Sequence, residues 1–188
     1  MPTILTHAIF GAALGESAPS PLRHSGGFWC AAVVCSMLPD LDVIGFRFGV
    51  HYGDLWGHRG ITHSLLFAAV IGTLCGALLG KSLRERWTLA LLLSAITASH
   101  GVLDAMTDGG LGVAFFSPFD PTRYFFPWRP IHVSPIGLPA AFSRRGLGAL
   151  SSEILYVWPA AILTGALLYA FHARQKRAES PGTPKPAP

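Results

Sequence analysis

The chain has 188 residues, of which 51% are hydrophobic and 13% charged, a balance too apolar for an ordinary soluble domain. Its net charge of +4 sits in short clusters beside apolar runs rather than along one stripe, so membrane topology explains it and nothing points to nucleic acid. Cys30, Cys35 and Cys75 lie inside apolar stretches without CxxC spacing, which argues against a disulfide framework or a thiolate zinc site and for small packing residues.

Taken in chain order, the first apolar runs, Ile4 to Gly15 and Phe28 to Leu38, are short for a membrane crossing. Ile61 to Gly80, Trp87 to Met106 and Ile154 to His172 are each long enough to cross a hydrocarbon core of ~30 Å as helices. The expectation is an all-α polytopic membrane bundle of about five membrane helices, two of them short, or three or four if the short runs do not cross. A single integral membrane domain would occupy 1–172, with an interfacial loop at 107–152 and a basic, then Pro-rich, disordered tail at 173–188. With no basic stretch ahead of the first run and His7 inside it, no cleavable signal peptide is expected. Gly11, Gly15, Gly72, Gly76 and Gly80 recur at four-residue spacing, which permits close helix contact in lipid.

Orientation follows from charge. Lys81 to Arg86 and Arg174 to Arg177 are the densest basic segments beside helix ends, so the positive-inside rule places both in the cytoplasm. Alternating crossings then put His7, Asp40, Asp42, His63, His100 and Asp104 together on the outer face. Arg123, Arg129, Arg144 and Arg145 fall on that same side and pull against the assignment.

Ionisable groups at membrane depth are costly and mark functional sites. His100, Asp104 and Asp108 are four residues apart, so their side chains stack on one helix face and address a common point. In His58-Arg-Gly-Ile-Thr-His63, Thr62 is expected to cap a helix starting at His63, leaving His58 on the loop. Pro39 disfavours helix at Leu38, so Asp40 and Asp42 are expected on an extended break, pointing the same way. Each group has a plain structural explanation on its own. Together His7, Asp40, Asp42, His58, His63, His100 and Asp104 read as a shared site for one or two divalent ions. Imidazole and carboxylate suit zinc or manganese first, with iron or nickel not distinguished.

These same motifs resemble the YdjM family of predicted membrane-bound metal-dependent hydrolases. The resemblance is carried by Thr6-His7-Ala-Ile-Phe-Gly11, Leu38-Pro-Asp-Leu-Asp42, His58-Arg-Gly-Ile-Thr-His-Ser64, His100-Gly-Val-Leu-Asp104 and the aromatic run from Ser117 to Gly137. It implies a multi-pass protein of the bacterial inner membrane, a family with one member under the DNA-damage repressor LexA, and a hydrolytic activity. On that footing the expected chemistry is metal-assisted hydrolysis, with Asp108 or Asp42 as general base or water-orienting carboxylate. The Pro- and aromatic-rich segment 117–137 suits a membrane-interface belt. It equally suits a lid whose Arg123 or Arg129, with Arg59, grips a phosphate. A membrane lipid or other amphiphile is the expected partner. A transporter or a protein merely stapled by its metal are the alternatives; ligands at one face rather than mid-membrane speak against transport.

Overall fold

The computed structural model describes residues 1–137, 140 and 142–179. The described chain is all-helical, without strands: α1 (Ile4–Gly15), α2 (Ser20–Arg23), α3 (Gly26–Met37), a 3-10 segment (Leu38–Phe48), a 3-10 turn (Ile61–His63), α4 (Leu65–Leu79), α5 (Leu83–Ala105), α6 (Arg144–Tyr156) and α7 (Trp158–Glu179). Gly26–Phe48, Leu83–Ala105 and Arg144–Lys176 are long and apolar enough to cross a membrane, and Ile4–Gly15 and Leu65–Leu79 are shorter apolar helices. All five apolar runs are therefore helical, although the division into long and short differs from expectation. The second run gains length because the 3-10 segment continues α3. The third loses it because its helix begins only at Leu65, whose fifteen residues span about 22 Å at 1.5 Å each.

Local starts follow serine chemistry. Ser25, Ser64, Ser82 and Ser143 each accept a hydrogen bond from a backbone N–H three residues on, at the starts of α3, α4, α5 and α6. Ser64 therefore caps α4 in the place expected of Thr62, whose hydroxyl instead donates to Asp42 Oδ2 at 2.8 Å. The Pro39–Asp42 stretch is also not extended: Leu38 has φ −56 and ψ −39, and the chain tightens into 3-10 turns. Burial of Pro39, Asp40 and Asp42 together outweighs the local preference of a pre-proline residue.

Helices α4 and α5 form a close hairpin. A Cβ built on Gly72, Gly76 or Gly80 would come within 2.2 to 2.6 Å of Ser94 Oγ, the Arg86 carbonyl or the Arg86 side chain, so only glycine permits this approach. Phe28, Ala32 and Cys35 of α3 pack on Leu89, Leu93 and Ile96 of α5 in the largest buried cluster. Cys35 and Cys75 touch there, Sγ to Sγ 3.8 Å, as free thiols. Leu66, Val70, Leu74 and Leu78 form an exposed stripe on α4, and Leu163, Leu167 and Phe171 are exposed on α7. These are surfaces for lipid.

Chain direction alternates so that α1 begins, α3 ends, α4 begins and α5 ends at one end of the bundle. Glu153 of α6, fully buried, accepts from Thr3 N (2.7 Å) and from the Thr3 and Thr6 hydroxyls (both 2.5 Å), tying α6 to that end. The described residues between α5 and α6 are mostly irregular, with isolated bridges pairing Thr107 with Ile131 and Val113 with Tyr124. Helix α7 continues through Arg174 and Lys176 to Glu179, past the tail boundary expected at 172. The Pro-rich stretch at 181–188 lies outside the described residues.

Candidate functional site

Three helix ends deliver one buried polar cluster. Asp40 from the 3-10 segment, His63 from the turn before α4, and His100 and Asp104 from α5 each offer an atom within 4.8 Å of the others. His100 Nε2 lies 3.2 Å from Asp40 Oδ1, and His63 Nε2 lies 3.7 Å from Asp40 Oδ1 and 3.4 Å from Asp104 Oδ2. Donor atoms about 2.1 Å from a common ion stand roughly 3.0 to 3.4 Å apart, from right-angle to tetrahedral geometry. Both oxygens of Asp40, Nε2 of His63 and of His100, and Oδ1 of Asp104 have no hydrogen-bond partner. Buried polar atoms are nearly always partnered; these converge on one point, and their nitrogen and oxygen chemistry fits a divalent cation.

The surrounding residues aim these atoms. His100 Nδ1 donates to the Ser36 carbonyl at 2.8 Å, which leaves Nε2 for the centre. Asp42 faces the other nitrogen of His63 (Oδ2 to Nδ1, 3.2 Å) and also takes His58 Nδ1 at 2.8 Å, the Thr62 hydroxyl and the Arg59 N–H. Asp42 and His58 thus form a supporting layer around His63, although with His63 they make a second group of donors close enough for an ion. His7 stacks on His100 with ring centroids 3.6 Å apart, and its Nε2 lies 3.5 Å from Asp104 Oδ1. Neither of its ring nitrogens has a hydrogen-bond partner.

Arg59 is fully buried and has spent its guanidinium. Its Nε donates to Asp104 Oδ2 (2.9 Å), Nη1 to the Gly109 carbonyl (2.8 Å) and Nη2 to the Thr107 hydroxyl (2.9 Å). Its backbone has φ +64, a left-handed conformation costing about 1–2 kcal/mol for a residue with a side chain. Tight turns flank it: a Cβ on Gly57 would lie 2.1 Å from the His51 carbonyl, and one on Gly60 2.3 Å from that of Leu55. Arg123 is likewise occupied, donating to the carbonyls of His58, Tyr52 and Asp54. Arg129 is exposed, its guanidinium 4.9 Å from the Phe125 ring centroid.

Asp108 does not reach the cluster. It lies beyond the end of α5, where its two oxygens take His132 Nδ1 at 2.7 Å and the Val133 N–H at 2.8 Å. Burial pushes its pKa up, but the His132 and Val133 hydrogen bonds outweigh that and hold it below the ordinary carboxylate value. The structure therefore gathers seven sequence-derived groups, His7, Asp40, Asp42, His58, His63, His100 and Asp104, and leaves Asp108 and Arg129 outside. Sequence reasoning missed the Ser36 carbonyl and Thr107. No side-chain pattern signals either, because one is a backbone atom on another helix and the other acts only through Arg59.

A buried His/Asp centre that can hold a metal ion, set among apolar helices, defines a class of multi-pass helical membrane protein. The chain belongs to the family described as YdjM inner membrane protein, whose model matches residues 1–177. It is 39% identical over 178 residues to "Inner membrane protein YbcI" of Escherichia coli (strain K12), covering 89% of this chain and 97% of that protein. No solved structure matches.

Proposed function

We propose that this chain is a metal-dependent hydrolase of the inner membrane, acting at one membrane face on a lipid-like phosphoester. The observation that carries the reading is the convergence of unpartnered buried atoms from Asp40, His63, His100 and Asp104. Asp40, His63, His100 and Asp104 would hold one divalent ion, zinc or manganese, with His7 beside them. Such an ion, when bound, polarises a scissile phosphoryl group and lowers the pKa of water. Asp42 and the Ser36 carbonyl fix the tautomers of His63 and His100, and Arg59 holds Asp104 in place. Tyr52 and His58 line a cavity of about 310 Å³ beside this supporting layer. The basic turn Lys81–Arg86 lies at the opposite end of the bundle, and so does Arg174, about two dozen ångströms along α7 at 1.5 Å per residue. The positive-inside rule then supports a cytoplasmic C-terminus and a site on the outer face.

A second reading, a metal that only staples the helices, is favoured by the burial of all four ligands, at 0 to 5% exposure. Catalytic sites keep a position open, whereas structural ones are closed by protein. The test is turnover of short-chain phospholipids by purified protein, stripped of metal and then reloaded with zinc or manganese, alongside X-ray absorption of the loaded form. The hydrolase reading requires metal-dependent release of product, lost in His63→Ala, and a coordination shell containing a non-protein oxygen. A loaded protein that is inert and fully coordinated by its own side chains contradicts it.

A further inference from the structure

Outside the metal centre the fold builds a second polar constellation that the hydrolase chemistry does not use. The Asp108 carboxylate is held at both ends, by His132 Nδ1 and the Val133 N–H. As a carboxylate can only accept, His132 Nδ1 must donate, and Nε2 is left free at the surface. The His132 backbone N–H donates to Ser152 Oγ at 2.9 Å, anchoring the loop on α6. Arg145, two helical turns before Ser152, lies on the same face of α6, and no ion pair occupies it among the described residues. Asp108, His132, Arg145, Gly148 and Ala149 line a cavity of about 280 Å³. The neighbouring cavity of about 310 Å³ shares Val133 and Arg145 and extends to Tyr52 and His58, so Arg145 stands between the cleft and the supporting layer of the metal site. The cleft is open at Gly148, where a Cβ would meet nothing within 4 Å.

We propose that this cleft is the headgroup subsite of the enzyme, taking an anionic phosphate that carries a hydroxyl-bearing group. Arg145 pairs with the phosphate, His132 Nε2 accepts from the hydroxyl, and Asp108 is the positioning residue that fixes the ring. The inference rests on the phosphoester reading above, and binding rather than turnover tests it. Calorimetry on the full chain in detergent uses dihexanoyl phosphatidylglycerol, with dihexanoyl phosphatidylcholine and glycerol phosphate as comparisons, before and after chelation of metal. The subsite predicts phosphatidylglycerol binding that survives chelation and exceeds that of phosphatidylcholine. Loss of one charge-assisted contact in Arg145→Gln should weaken it about tenfold. Gly148→Leu, which puts a side chain into the open space at that position, should weaken it as much while metal content stays unchanged. Asp108→Asn should in addition shift His132 away from the Nδ1–H tautomer in nitrogen NMR. Glycerol phosphate binding as well as the lipid identifies a soluble phosphate as the source, and weaker binding identifies the lipid. Wild-type affinity in both Arg145→Gln and Gly148→Leu, or binding abolished by chelation, overturns the subsite. Binding without turnover in the metal-loaded protein would remove the hydrolase reading and leave the subsite standing.

Discussion

Asp40 and Asp42 are two residues apart yet have different tasks, and the difference is testable. Asp40 presents two unpartnered oxygens to the centre, whereas Asp42 is saturated by His58, Arg59, Thr62 and His63. Removing a supporting carboxylate costs about 10- to 100-fold in metal affinity. Asp42→Ala is therefore expected to weaken binding within that range in a chelator competition, while Asp40→Ala abolishes it. Arg59 supplies the counter-charge of a fully buried carboxylate. Arg59→Ala leaves Asp104 uncompensated, and the loss of a buried partner costs about 3–5 kcal/mol; a large drop in the thermal midpoint of the metal-free protein is the expected readout.

Asp108 gives the pH prediction at the same scale. Its folded pKa is depressed, so it contributes stability at pH values above its unfolded value of 3.8 and loses that contribution as pH falls through the lower folded value. The protection factor of the Val133 amide against hydrogen exchange should fall as pH drops below about 3.8, and Asp108→Asn should remove that pH dependence. Protection that is unchanged down to pH 2 contradicts the assignment.

What sequence could reveal about these residues follows from which atoms do the work. His100 and Asp104 were legible because helical periodicity alone places them on one face. The division between Asp40 and Asp42 was not, since it depends on 3-10 turns where an extended break is the local preference of a pre-proline residue. Arg59 and Arg123 read as substrate ligands because arginine suits phosphate. In the fold their donors are consumed by loop carbonyls, Thr107 and Asp104, partners that no spacing announces.

At the scale of elements, the glycine rows on α4 set how near α5 can come, and α5 carries two of the four central ligands. A side chain at Gly76 would meet Arg86 O at 2.5 Å and Ala90 N at 2.7 Å, both backbone atoms that cannot turn aside. Gly76→Leu should therefore separate the hairpin, with a cost of at least about 1–3 kcal/mol. Leu74→Ala, on the exposed stripe two residues earlier, should stay within about 0.5 kcal/mol. Unfolding of the two variants in mixed micelles compares them directly. The small-residue pattern was visible in the sequence, but its partner was not, because spacing identifies a contact face without naming the helix that fills it.

Across the whole molecule, alternating helices bring every central ligand to one end and the basic turn and α7 terminus to the other. That co-facial arrangement was legible from counting crossings, since it survives the changes in helix length found for Gly26–Phe48 and Leu65–Leu79. The expected topology places the α4–α5 turn and the C-terminus in the cytoplasm. Reporter fusions at Lys81 and after Lys176 should both be active only as cytoplasmic reporters, and a fusion in the 51–57 loop only as an external one. Two basic segments on opposite sides would contradict the arrangement.

Whether the His/Asp cluster holds a metal is read out by elemental mass spectrometry of the purified full chain. Wild type, Asp40→Ala and His100→Ala are compared after reconstitution with zinc and with manganese. Near-stoichiometric metal is expected in wild type and is lost from both variants, with helical content retained. A folded wild type that takes up no metal, or variants that keep it, would rule out a metal at this cluster and return these seven groups to the role of polar contacts between helices.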